Sequence, residues 1–180
     1  MTSPQNTSST SFLPSGVSGL DDILRGGFTR DRLYLIEGSP GSGKTTLALQ
    51  FLIDGAKRGE PVLYITLSET SVELRAVAEA HGWSLDGIHI EEVLPSESIL
   101  NPDEQYTIFH PSDVEMGATT KEILSLVESM RPTRVVLDSL SELQLLASNP
   151  LSYRRQVLAF KQFFASRSCT TSASRRIRAP

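Results

Sequence analysis

Gly38 and Gly43 bracket Ser39, Pro40, Gly41 and Ser42; Lys44, Thr45 and Thr46 follow at once, and an apolar run begins at Leu47. Glycines let a backbone fold back so that consecutive N–H groups converge on one point. Those amides, with the positive end of a helix starting at Lys44, form an anion site. The spacing G-x-x-x-x-G-K-[ST] is that of the phosphate-binding P-loop. Lys44 then reaches β- and γ-phosphate oxygens, and the Thr45 hydroxyl is a ligand for Mg²⁺. The bland alternative is a glycine-rich strand-to-helix turn. An apolar strand pattern before the loop and a helical pattern after it favour the phosphate site. The motif does not choose between ATP and GTP, or between hydrolysis and transfer.

A metal beside a triphosphate calls for a carboxylate as well. Asp138 ends the apolar run RVVLD, the pattern known as Walker B; as a lone feature it would equally cap a turn with Ser139. Hydrolysis also needs a group that orients or deprotonates water. Glu69 ends LYITLSE, the run after the P-loop helix. Strand C-termini of a parallel sheet gather at the ligand edge, which would bring Glu69 to the γ-phosphate. A solvated glutamate opening the next helix fits the local sequence equally well.

These residues need a frame. RLYLIE, PVLYIT, GIHIEEV and RVVLDSL read as strands, with YTIFH a further candidate in a Pro- and Asp-rich loop from Asn101 to Ala118. TTLALQFLIDGAKRG, SVELRAVAEAHG, TKEILSLVESM and LSYRRQVLAFKQFFAS read as helices; Tyr153, Val157, Phe160 and Phe164 share one face of the last. Apolar strands alternating with helices predict an α/β fold, a parallel sheet flanked by helices. Phe160, Phe163 and Phe164 are expected in the core, and Trp83 against a helix-to-strand turn.

The bulk properties agree. The chain has 180 residues, 39% hydrophobic and 21% charged, with a net charge of −4. That is one domain's worth of soluble-type sequence. The acidic balance argues against a dedicated nucleic-acid binder. Cys169 is the only cysteine, so no internal disulfide forms. No segment is long and apolar enough to span a bilayer. Residues 1–12 are Ser/Thr-rich and expected to be a disordered tail without a secretory-signal pattern, which makes a cytoplasmic location the default.

SGVSGLDDILRGGFTRDRLYLIEGSPGSGKTTLALQF resembles the KaiC-type ATPases of the RecA/RadA superfamily, and VLYITLSETSVELRAVAEAHGWSLD and RVVLDSLSELQLLASNPLSYRRQVLAFKQFF extend the likeness to most of the chain. The resemblance implies a RecA-like P-loop core over residues 13–168 that binds and hydrolyses ATP with Mg²⁺. It also implies a homo-oligomeric ring, usually a hexamer, with ATP between subunits. In the clock members it further implies serine/threonine autophosphorylation, whose sites do not map onto this sequence. Gly38 to Thr45 match the Walker A segment and Asp138 the Walker B aspartate. The family's catalytic acidic pair falls on Ser68 and Glu69, so only the second carboxylate is present. A circadian role does not follow, and the signalling partner is left unidentified.

The end of the chain departs from the pattern. Family members continue past FKQFF with an apolar strand and many further residues, including basic groups that reach a neighbour's ATP. This chain runs SRSCTTSASRRIRAP. We therefore expect a fold incomplete at the C-terminus, from a truncated or frame-shifted product, with residues 169–180 as a polar, Arg-rich tail. In this superfamily the following strand lies between the P-loop strand and the Walker B strand. An empty slot there would part Thr45 from Asp138. SCTTSAS could fill it, with little apolar burial. Weak or no turnover by the chain alone is the expectation. Arg154, Arg155, Arg175, Arg176 and Arg178 are read as a solvated face plus a flexible basic tail rather than a DNA surface. His81, His89 and His110 lack metal-ligand spacing.

Overall fold

The structure is a computed structural model, and it describes residues 12–93 and 111–177. Two short strands, β1 (Phe12–Leu13) and β2 (Phe28–Thr29), pair antiparallel around the short helix α1 (Ser18–Ile23). The main unit runs β3 (Leu33–Gly38), α2 (Lys44–Lys57), β4 (Val62–Thr66), α3 (Ser71–Ala80) and β5 (Ile88–Glu92). It continues with α4 (Pro111–Met130), β6 (Arg134–Asp138), α5 (Leu140–Leu146), α6 (Pro150–Ser166) and β7 (Thr170–Arg176). Five strands form one parallel sheet in the order β3-β7-β6-β4-β5. This is the expected α/β architecture.

Side chains alternate across a strand, and the sheet carries a core on each face. Leu63, Ile65, Val135, Leu137 and Ala173 point to one face, against Ile123, Val127, Leu140, Phe160 and Phe164. Val62, Tyr64 and Val136 point to the other, against Leu49, Phe51, Leu52 and Leu74. Every residue of β4 and β6 is buried, which explains why both read as unbroken apolar runs. Phe160 and Phe164 lie in the core as expected, and Trp83 stacks on His81 beside the second core.

Two expectations fail. Pro111 to Ala118 are helical, not loop: α4 begins a full two turns before TKEILSLVESM. Proline at the first helical position has no amide to lose and a φ already suited to the helix. The YTIFH candidate lies outside the described residues, as does most of the N-terminal stretch. The second failure is the C-terminal stretch. Thr170–Arg176 are not a tail; they pair with β3 on one side and β6 on the other, filling the slot between them. Thr170, Thr171, Ser172 and Ser174 are buried there. Three of these hydroxyls have partners: the Asp31 amide donates to Thr170 Oγ1 at 2.9 Å, Thr171 Oγ1 lies 3.7 Å from Cys169 Sγ, and Ser174 Oγ donates to Asp138. The ladder is thus kept by backbone pairing with hydroxyls in place of apolar side chains.

Candidate nucleotide site

The loop between β3 and α2 sits where the sequence motif requires. Gly43, the N-cap of α2, has φ +85°, a left-handed conformation that an L side chain would strain. A Cβ on Gly38 would run into the Ser42 hydroxyl, so any larger residue there would push the Ser42 side chain aside. No side chain caps α2, and its first-turn amides stay available to an anion. Lys44 Nζ donates to the carbonyls of Gly38 and Ser39, both at 2.9 Å. That bends the ammonium back over the loop with its third N–H uncommitted.

Ninety-three residues later in the chain, β6 delivers Asp138 to the same place. Thr45 Oγ1 donates to Asp138 Oδ2 at 3.3 Å. The Tyr64 hydroxyl donates to the same oxygen at 2.7 Å, and Ser174 Oγ donates to Oδ1. Burial and the neighbouring carboxylate push the Tyr64 hydroxyl well above its ordinary value, which keeps it a proton donor. Asp138 is thus a buried carboxylate held by three neutral hydroxyls, and its ion-pair partner is absent from the described residues. A buried anion of this kind suits a cation. The adjoining Ser139 is buried, and its Oγ is the single buried side-chain polar atom without a partner among the described residues.

Glu69 is placed by two local devices. Thr66 Oγ1 accepts from the Glu69 amide at 2.9 Å and donates to its carbonyl at 2.7 Å. A capping box then starts α3: Thr70 Oγ1 accepts from the Glu73 amide, and Glu73 Oε2 accepts from the Thr70 amide. Partial burial and the Asp138 and Glu73 carboxylates raise the Glu69 carboxyl above its ordinary range; Arg176 and the Thr45 hydroxyl pull it partly back.

Together these elements enclose a cavity of about 370 Å³. Pro40, Gly41, Gly43, Lys44, Thr45, Thr46, Glu69 and Asp138 line it. Of the sequence-derived candidates, Gly38, Ser39 and Ser42 build the loop without lining the cavity. Ser68, at the position of the family's second carboxylate, lines it beside Glu69; Val77, Ser139 and Arg176 also line it and were not foreseen as site residues. Nor were Tyr64 and Ser174, which hold Asp138. Tyr64 reads as an ordinary core aromatic, and Ser174 and Arg176 fall in a stretch whose polarity suggests a tail. Arg175 and Arg176 are accordingly not a flexible basic tail: Arg175 pairs with Glu37, and Arg176 faces the cavity.

A loop of amides at a helix start, a lysine over it, and a buried carboxylate beside a threonine hydroxyl is an arrangement for a nucleotide's phosphates. Comparisons with known proteins place it. The family described as ATPase: KaiC matches residues 13–173. A UPF0273 protein of Thermotoga maritima is 29% identical over 165 residues, covering 87% of this chain and 66% of its own length. A UPF0273 protein of Aeropyrum pernix is 29% identical over 164 residues, covering 87% and 64%. The circadian clock oscillator protein KaiC of Acaryochloris marina is 30% identical over 156 residues, covering 87% of this chain and 26% of that protein. The chain therefore spans slightly under two thirds of those UPF0273 relatives. With the family matched from the first strand into the last, and its phosphate loop and strand-end aspartate in contact, this chain belongs to the KaiC family of ATPases.

Proposed function

We propose that this chain binds ATP with Mg²⁺ in the cavity at the C-terminal edge of the sheet and hydrolyses its terminal phosphoanhydride. The Thr45–Asp138 contact beneath the loop carries the reading. Thr45 and Asp138 would hold the metal, which neutralises phosphate charge; Mg²⁺ is commonly held by one or two protein ligands plus phosphates and water. Loop amides and Lys44 hold the phosphates. Lys44 needs only to exchange its bonds to the Gly38 and Ser39 carbonyls for phosphate oxygens. Glu69 orients the attacking water and accepts its proton. Burial supports that role, because a carboxyl raised above the ordinary range is a better base.

A second reading, a nucleotide-binding module with little turnover that joins a ring, is favoured by one observation. Ser68 lines the cavity beside Glu69, where the resemblance leads one to expect a second carboxylate. Phosphate release by the purified chain, paired with size-exclusion chromatography with and without Mg-ATP, separates the two. Turnover abolished by Lys44→Ala supports hydrolysis. Nucleotide-dependent assembly with no phosphate release supports the module. A folded chain that does neither contradicts both.

A further inference from the structure

We propose that Arg176 is a terminal-phosphate-recognition residue supplied in cis by β7, which makes this site discriminate a nucleoside triphosphate from a diphosphate. The inference deepens the reading above and rests on it. Its argument starts from the sheet order. β7 lies between β3, which carries the loop, and β6, which carries Asp138, so its C-terminal end opens into the middle of the site. Side chains alternate along a strand. Ser174 turns its hydroxyl onto Asp138, and Arg176, two residues on, shares that face and lines the cavity. Arg175 between them points to the opposite face and is engaged by Glu37.

The backbone that presents Arg176 is fixed on both sides. Arg176 stands opposite Gly38 in the β3–β7 register. Its amide donates to Ser141 Oγ at 2.9 Å, and the Ile177 amide donates to the Gly38 carbonyl at 3.2 Å. Among the described residues, Lys44 and Arg176 are the two cations that line the cavity. Both share the cavity with Glu69 and Asp138, and the Arg176 charge acts to lower the Glu69 carboxyl. A guanidinium there offers a planar set of donors for phosphate oxygens. It also offsets the repulsion between Glu69 and an arriving terminal phosphoryl group, which carries up to two negative charges.

The test is calorimetric titration of the full chain with Mg-ATP and, separately, Mg-ADP. Arg176→Ala is expected to weaken Mg-ATP binding about tenfold or more, the scale of one charge-assisted hydrogen bond, with Mg-ADP affinity within about twofold of wild type. Arg176→Lys is expected to restore part of the ATP preference. Equal weakening of both nucleotides, or no change in either, overturns the proposal. So does a change in turnover with the ATP-to-ADP preference intact, since that would mean Arg176 only neutralises Glu69. If Arg176→Ala does not fold, Arg176→Gln repeats the test; failure of both to fold assigns the residue to strand structure and overturns the proposal. A folded wild type that binds neither nucleotide defeats the underlying reading instead, and the two failures are distinct.

Discussion

The Thr45 hydroxyl donates to Asp138 Oδ2 at 3.3 Å, across a separation of 93 residues. The contact exists because β7 fills the sheet between the strand before Thr45 and the strand ending in Asp138. Residues of unremarkable composition, TTSASRR, thereby set the spacing of the site.

Asp138→Asn should remove most of the effect of Mg²⁺ on ATP binding. The amide keeps the side chain's shape but loses the charge, and its NH₂ cannot accept from Tyr64 or Ser174. Titrations with and without Mg²⁺ should differ by about tenfold or more in wild type and by little in the variant.

Ser139→Ala should separate stability from binding. The hydroxyl is buried without a partner, and removing such a group is neutral or stabilises by about 1 kcal/mol. Urea unfolding should therefore show equal or greater stability, with ATP affinity unchanged, because the hydroxyl is shut off from the cavity.

Arg134→Ala should destabilise the fold by about 3 kcal/mol. The side chain is fully buried, donates to Asp54 at 3.0 Å and Glu60 at 2.6 Å, and binds the carbonyls of Pro14 and Phe51. It ties the N-terminal segment to the base of the sheet, so chemical denaturation checks the loss directly. The network also sets an acid limit. Burial alone would raise the Asp54 carboxyl, but Arg58 and Arg134 outweigh it and hold it below its ordinary 3.8. That stability is present above the unfolded value and drains away as pH falls through the depressed one. Asp54→Asn should therefore flatten the acid limb of a stability–pH curve.

Cys169 should resist alkylation in the native chain. Burial pushes its thiol up to about 12, and Thr171 only partly offsets this. The thiolate is the reactive form, so iodoacetamide at pH 8 should label Cys169 only after denaturation. Because the folded value lies above the unfolded one, this residue's contribution is full below about 9 and is lost as pH climbs towards about 12.

Much of this architecture was legible in local sequence. A glycine loop between an apolar strand and a helix is a short-range signal, and β4 and β6 announce themselves because burial on both faces leaves no polar alternation. The YRRQVLAFKQFF periodicity likewise placed Phe160 and Phe164 in the core. The helical start of α4 was masked by the Pro111–Ser112–Asp113 run, which carries turn chemistry as readily as helix-start chemistry. β7 was legible only as a possibility: SCTTSAS could fill the slot, but the evidence that it does so rather than forming a polar tail is non-local. Hydroxyl side chains suit a slot only when its surroundings supply hydrogen bonds, as the Asp31 amide before β3 and the Asp138 carboxylate of β6 do here. The same holds for Tyr64 and Arg176, whose roles depend on which strand end lies beside which.

The most direct test of the central claim is calorimetric titration of Mg-ATP into the folded chain, alongside Lys44→Ala. The account predicts a saturable isotherm for wild type, lost in a variant that melts at the same temperature. A folded wild-type chain that gives no isotherm, or a Lys44→Ala variant that binds as tightly as wild type, would contradict it.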